Sequence, residues 1–97
     1  MRRKLPVGRT PEQAQGDHLV LGELLRDVRK GTANGVREGE EVTQTALGKL
    51  LKPKGGQVLV AKVEAGTRKL DLLEVLQILD LLEVDTASFI AELRRRL

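Results

Sequence analysis

The chain has 97 residues, of which 40% are hydrophobic and 32% charged, with a formal net charge of +3, one aromatic residue and no cysteine. This size allows one small domain without a deep enclosed active site, and the lack of cysteine together with a lone His18 excludes disulfides, thiolate zinc sites and histidine metal clusters. We expect no metal, no cofactor and no enzymatic activity, because nucleotide-binding, serine-hydrolase and zinc-protease motifs are missing.

Residues 1–16 are predicted to form a disordered basic arm. They contain two prolines, two glycines and no apolar periodicity, which is typical of disordered tails. No apolar run follows Arg2, Arg3 and Lys4, so we expect no signal peptide, no membrane span and a cytoplasmic location. The arm either tracks a DNA groove or is an idle basic tail.

An amphipathic helix is predicted over about residues 18–30, with Asp17 as a candidate cap and Gly31 as a stop signal. Four apolar residues follow the i, i+3, i+4, i+7 spacing of one helical face, Leu21, Leu24, Leu25 and Val28. Residues 31–42 contain three glycines and an Asn-Gly pair, which indicates a mobile loop or a small hairpin. An acidic metal site on this loop is disfavoured, because adjacent carboxylates on a glycine-rich loop lack a supporting shell.

Two short helices are predicted in the middle of the chain. Thr43 is the candidate cap of the first, which runs to about Leu51 and ends before Pro53. The second follows the sequence KPKGG and covers about residues 57–65. Its valines also favour a strand, but they share a helical stripe and the segment ends at Gly66 as a helix would.

Two further helices complete the predicted domain, which covers residues 17–97. Asp71 and Glu74 form a pair typical of a capping box, at the start of a run whose leucines keep helical spacing, Leu73, Leu76, Leu79 and Leu82. Asp85 or Thr86 then caps a last helix with one apolar face, formed by Phe89, Ile90, Leu93 and Leu97. The expected fold class is therefore all-α, with five helices.

Charge is distributed unevenly along the chain. Residues 43–69 carry six basic residues and one acidic residue, a net charge of +5, whereas residues 70–93 carry six acidic residues and no basic one. The first segment would attract a polyanion and the second would repel it, unless both are only solvated surface. A single aromatic residue also excludes the stacking platforms that bind unpaired bases, so duplex is the favoured nucleic acid.

Residues 19–93 resemble the lambda-repressor-like, or Xre-type, helix-turn-helix family. The matching segments are LGELLRDVRK, TQTALGKLL, and QVLVAKVEAGTRKLDLLEVLQILDLLEVD with SFIAEL. The resemblance implies a five-helix fold that binds duplex DNA, as a transcriptional repressor or as the DNA-binding part of an antitoxin. The chain departs from the family in a longer connection between the first two helices and a longer turn at KPKGG.

The resemblance also implies roles for individual residues. Contacts to base edges fall on the third helix, at Gln57, Val58, Ala61 and Lys62. Contacts to the DNA backbone fall at the start of the second helix and after the third, at Thr43, Gln44, Arg68 and Lys69. Lys52 and Lys54 join this set because they lie in the basic segment, unless they are only solvated. A structural salt bridge joins Arg29 to Glu64, and Gly48 occupies the small position where the second and third helices cross.

The chemistry of the predicted base-contacting residues is compatible with these roles. Glutamine pairs with adenine, lysine reaches guanine O6 and N7, and Val58 and Ala61 suit thymine methyl groups. The alternatives are that Val58 belongs to the core and that Gln57 only caps the helix.

A homodimer on a pseudo-palindromic operator is expected, because one such domain reads only a half-site. Its interface is predicted on the last helix, at Phe89, Ile90, Leu93 and Leu97. The expected partners are double-stranded DNA and a second copy. The alternatives are an antitoxin-like DNA binder with a toxin or other protein partner, and a protein-interaction adaptor with the same fold.

Overall fold

The protein is described by a computed structural model over residues 10–51 and 56–97. The fold is mostly helical, with five helices and one small sheet, in the order α1 (Pro11–Lys30), β1 (Thr32–Ala33), β2 (Arg37–Glu38), α2 (Gln44–Leu50), α3 (Gln57–Glu64), α4 (Leu72–Leu81) and α5 (Thr86–Arg96). The prediction of five helices is confirmed, and the segment between α1 and α2 forms the hairpin alternative. None of the helices in the described ranges is long and apolar enough to cross a membrane.

Helix α1 begins at Pro11, well before its predicted start. Thr10 and Gln13 form a capping box in which the Thr10 hydroxyl accepts from the Gln13 amide at 3.2 Å and the Gln13 side chain accepts from the Thr10 amide at 2.9 Å. The prediction of a disordered arm is therefore wrong for residues 11–16, and Asp17 lies inside the helix instead of capping it. Residues 1–9, the rest of the predicted arm, lie outside the described residues.

A hairpin follows the end of α1, where Gly31 adopts the left-handed conformation with φ 76°. A Cβ at Gly31 would lie 2.3 Å from the Gly39 carbonyl oxygen, so only glycine fits this turn. The Arg37 guanidinium on β2 donates to the Val28 carbonyl at 2.9 Å and to the Arg29 carbonyl at 3.3 Å. It therefore adds a donor to two carbonyls at the end of α1, which also accept from the Gly31 and Val42 amides.

All five helices contribute to one hydrophobic core, in which the largest fully buried side chains are Phe89, Leu24, Leu79 and Val28. The predicted apolar face of α1 lies on this core. In α4 the helix is confirmed, but its buried face is formed by Val75, Ile78 and Leu79, whereas Leu73 is 76% exposed. Residues nine apart are rotated by about 180° around an α-helix, so Leu73 and the buried Leu82 lie on opposite sides.

Candidate nucleic-acid interface

Helices α2 and α3 approach each other closely at Gly48. A Cβ at this position would lie 2.3 Å from the Gly56 carbonyl carbon and 2.6 Å from the Gln57 nitrogen. The Gly56 amide also donates to the Gly48 carbonyl at 2.9 Å. Gly48 therefore allows the start of α3 to pack directly against α2, as expected from its small size.

Helix α3 has one buried face and one solvent-exposed face. Val60, Val63 and Glu64 are buried. On the other face Gln57 and Lys62 are exposed, Val58 is 67% exposed and Ala61 is half-buried. Residues four apart lie along one side of a helix, so Gln57 aligns with Ala61, and Val58 with Lys62.

The sequence left open whether Val58 belongs to the core and whether Gln57 only caps α3, and the positions of the two residues now answer both questions. Val58 does not belong to the core, because most of its side chain is exposed. Gln57 does not cap α3, because the cap position is Gly56, which has a φ of 123° and forms no side-chain capping bond. Both side chains are therefore available to a partner.

The basic residues near α3 differ in whether their side chains are exposed or already bonded to neighbouring residues. Lys62 and Lys69 are exposed, whereas the guanidinium of the half-buried Arg68 donates to Glu74 on α4 at 2.9 Å and to the Lys69 carbonyl. Lys52 and Lys54 lie outside the described residues. Of the described basic residues predicted to contact DNA, Lys62 and Lys69 are therefore the two whose charge is not engaged by an ion pair.

The start of α2 differs from the expected phosphate-binding arrangement. Thr43 caps the helix, and its hydroxyl accepts from the Ala46 amide at 3.1 Å. The Gln44 side-chain amide donates to the buried Glu64 carboxylate at 3.0 Å. Glu40 and Glu41 are exposed just before this helix, and their negative charge opposes a phosphate there.

The expected salt bridge between Arg29 and Glu64 is present. The Arg29 Nε lies 2.5 Å from one carboxylate oxygen and Nη2 lies 2.9 Å from the other, and the two side chains are only 4% and 6% exposed. The Arg29 Nη1 also donates to the Val42 carbonyl at 3.0 Å and lies 3.5 Å from Glu41. The hydrogen bond to Glu64 is the main cause that raises the pKa of Arg29.

The close crossing of α1 and α3 depends on Gly22, which was not among the residues predicted from the sequence. A Cβ on Gly22 would lie 2.6 Å from the Val63 carbonyl oxygen and 2.7 Å from that of Glu64. The available signal was a glycine inside an amphipathic helix, a position where glycine is unfavourable unless packing requires it.

Helix α5 presents less apolar surface than predicted. Phe89 is fully buried in the protomer's own core and cannot contribute to an interface between protomers. Ile90 and Leu97 are exposed, and Leu93 is half-buried against the core. The predicted dimer surface is therefore reduced to the exposed part of this set.

The surface around α3 thus combines an amide, an ammonium group and apolar side chains on a helix that neighbouring helices hold in place. Such a combination suits base edges, which offer hydrogen-bonding groups and methyl groups side by side. Comparisons of the chain with protein-family models, curated proteins and solved structures gave no match.

Proposed function

We propose that this protein binds duplex DNA sequence-specifically and acts as a transcriptional repressor, with α3 as the recognition helix of a helix-turn-helix. The observation that carries the proposal is the exposed face of α3, with Gln57, Val58 and Lys62. An eight-residue helix is about 12 Å long. It therefore fits the major groove, which admits an α-helix and presents a distinct pattern for each base pair.

The proposed contacts divide into two classes. Gln57 pairs with adenine, Lys62 reaches guanine, and Val58 with Ala61 contacts thymine methyl groups. Lys69 holds the DNA backbone. Thr43, Gln44 and Arg68 share this role by the family resemblance, and Lys52 and Lys54 share it by their place in the basic segment. Gln44 and Arg68 would serve it while they also bind Glu64 and Glu74.

The proposal includes a homodimer that acts in the cytoplasm. One α3 covers a single half-site, and single modules seldom select among genomic sites at cellular salt. The exposed Ile90 and Leu97 on α5 are the residues of the predicted interface that remain on the surface.

Selection of bound duplexes from a random pool tests the proposal. We expect the natural chain to enrich a pseudo-palindromic sequence and Lys62→Ala to lose this enrichment. Lys30→Ala is the matched control, because it removes the same charge from the exposed end of α1. Failure of the natural chain to enrich any sequence would contradict the proposal.

A panel of single-base variants of the selected duplex then tests the two classes of contact. Loss of a base contact weakens binding by about 1 to 3 kcal/mol and relaxes the base preference at one position of the duplex. Loss of a phosphate contact weakens binding to all duplexes alike, and it lowers by about one the slope of the logarithm of the binding constant against the logarithm of the salt concentration. We expect the first behaviour for Lys62→Ala and Gln57→Ala, and the second for Lys69→Ala. If Lys62→Ala lost the same affinity for every duplex of the panel, Lys62 would not contact a base and the proposed orientation of α3 in the groove would be wrong.

An antitoxin or a protein-interaction adaptor is the second candidate. It is favoured by Leu72 and Leu73, adjacent leucines that are both exposed on the first turn of α4. Exposed large apolar side chains that are close together mark protein contacts more often than isolated ones do. No enrichment in the duplex selection, together with a protein partner that protects this turn from hydrogen exchange, would favour this candidate.

A further inference from the structure

A cavity of about 470 Å³ lies between the first half of α1 and the turn from α3 to α4. Its apolar wall includes Pro11, Ala14 and Leu19 from α1 and Ala65 from the turn. Volumes of this size are typical of small-molecule sites. The cavity exists because the Thr10 capping box starts α1 early enough to face the turn.

The polar lining of this cavity carries one positive charge, on Lys69. Gln15, His18 and Lys69 line it, and their side chains form no hydrogen bond or ion pair with any other residue in the described ranges. Thr67 completes the polar lining, and its hydroxyl donates to the Lys62 carbonyl at 3.1 Å. No acidic residue is among the lining residues.

The turn that forms one side of the cavity is held by backbone hydrogen bonds. Gly66 has a φ of 77°, and its amide donates to the Val63 carbonyl at 3.1 Å. The Thr67 amide donates to the Lys62 carbonyl at 3.0 Å. A ligand would therefore meet a largely preformed surface, which lowers the entropic cost of binding.

We propose that this cavity binds a small organic carboxylate that carries a short apolar chain. The chain packs on Ala14 and Leu19, whose side chain is otherwise 44% exposed. The carboxylate accepts charge-assisted hydrogen bonds from the Lys69 ammonium group and a hydrogen bond from the His18 imidazole. An inorganic anion would leave the apolar wall uncovered, and an organic cation would be repelled by Lys69.

Titration with hexanoate, without any DNA, tests this proposal. Amide shifts of Gly66 and Thr67 in NMR spectra report occupancy, and acetate and 1-hexanol separate the contributions of chain and charge. We expect saturable shifts with hexanoate and affinity at least about tenfold weaker for either control compound, because each lacks one of the two interactions. Since no duplex is present, the outcome is independent of the proposed DNA binding.

Three variants make the test specific to the cavity. Lys69→Gln should weaken hexanoate binding about tenfold by removing the charged donor, and Ala14→Leu should weaken it by occupying part of the space for the apolar chain. Lys30→Gln on α1 should have no effect. Thermal melting checks that each variant is folded. Absence of saturable shifts in the natural chain, or equal affinity in Lys69→Gln and Lys30→Gln, would overturn the proposal.

Discussion

Glu64 is a buried carboxylate that accepts three hydrogen bonds, two from Arg29 and one from Gln44. A buried charge is stable only when such partners satisfy it, and the loss of one partner leaves another uncompensated. This group joins α1, α2 and α3, because each helix supplies one of the three residues. It therefore fixes the orientation of the exposed face of α3.

We expect Glu64→Gln to lower the free energy of unfolding by about 1 to 3 kcal/mol, because Arg29 would lose its buried counter-charge and keep only the exposed Glu41, 3.5 Å away. Arg29→Met should be destabilising for the reciprocal reason. Urea denaturation measures both. Glu23→Gln, at an exposed carboxylate on α1, is the control and should change stability by less than about 0.5 kcal/mol. Unchanged stability in both core variants would show that the pair does not support the fold.

A second prediction at the residue scale concerns Val58. If its exposed side chain contacts a thymine methyl group, replacing that thymine by uracil should weaken binding of the natural chain about fourfold, as expected for one buried methyl group. Val58→Ala should bind the thymine and uracil duplexes with nearly equal affinity. Fluorescence anisotropy on both duplexes measures the difference. If Val58→Ala also bound the uracil duplex about fourfold more weakly than the thymine duplex, a residue other than Val58 would contact the methyl group.

The sequence and the family resemblance predicted some side-chain contacts and not others. The pairing of Arg29 with Glu64 followed from the resemblance. The role of Gln44 did not, because a glutamine at a helix start can equally contact a phosphate or a neighbouring carboxylate. Only the tertiary placement of Glu64 beside α2 distinguishes the two.

At the scale of whole elements, the helix ends were predictable where a local pattern was recognised. Asp71 caps α4 through its side chain, as predicted, and Asp85, one of the two candidates, caps α5. The start of α1 was missed, although Thr10, Pro11 and Gln13 form a capping signal, because the apolar periodicity begins only later. The face of α4 was also misplaced, since a spacing of three residues drifts around the helix.

Helix α5 is attached to α1 by a small network of charges. Arg96 lies 3.0 Å from Asp27 on α1 and 2.8 Å from Glu92 within α5. Hydrogen bonds from Arg95 and then from Arg96 lower the pKa of Glu92 from 4.5 to about 2. The contacts of Glu92 with Arg95 and Arg96, which lie within α5, therefore persist in moderate acid.

The lowered pKa of Glu92 predicts a defined pH dependence. Because its pKa is lower in the folded than in the unfolded chain, ionised Glu92 stabilises the fold above about pH 4.5, and this contribution disappears as the pH falls through about 2. NMR titration of the side-chain carboxyl should give a midpoint near 2. Arg95→Ala should move the midpoint upwards. An ordinary midpoint in the natural chain would contradict the proposed network.

At the scale of the whole molecule, the core and the proposed dimer surface compete for the same side chains. Phe89 is the only aromatic residue of the chain and is fully buried in the core. The apolar pattern of α5 predicted a buried face but could not tell whether the protomer or a second copy would cover it. Burial by the protomer leaves a smaller surface for association.

We expect replacement of both Ile90 and Leu97 by aspartate to convert the proposed dimer into a monomer, because two charges would then have to be buried at the interface. Light scattering over a range of concentrations measures the mass. Leu73→Asp, at an exposed leucine on α4, is the control and should remain dimeric. A dimer that is lost only with Leu73→Asp would move the interface to α4. A monomeric natural chain, alone and on DNA, would contradict dimerisation.

The hairpin between α1 and α2 is closed at its base. The Val42 amide donates to the Arg29 carbonyl at 2.9 Å, and the Arg29 side chain donates to the Val42 carbonyl at 3.0 Å. The ends of the connection are thus held together independently of its tip, where Asn34 and Gly35 are exposed. Doubling the length of a flexible loop costs only about 0.6 kcal/mol. The chain can therefore gain or lose residues at this tip during evolution, or accept an inserted peptide label, without displacing the helices on either side.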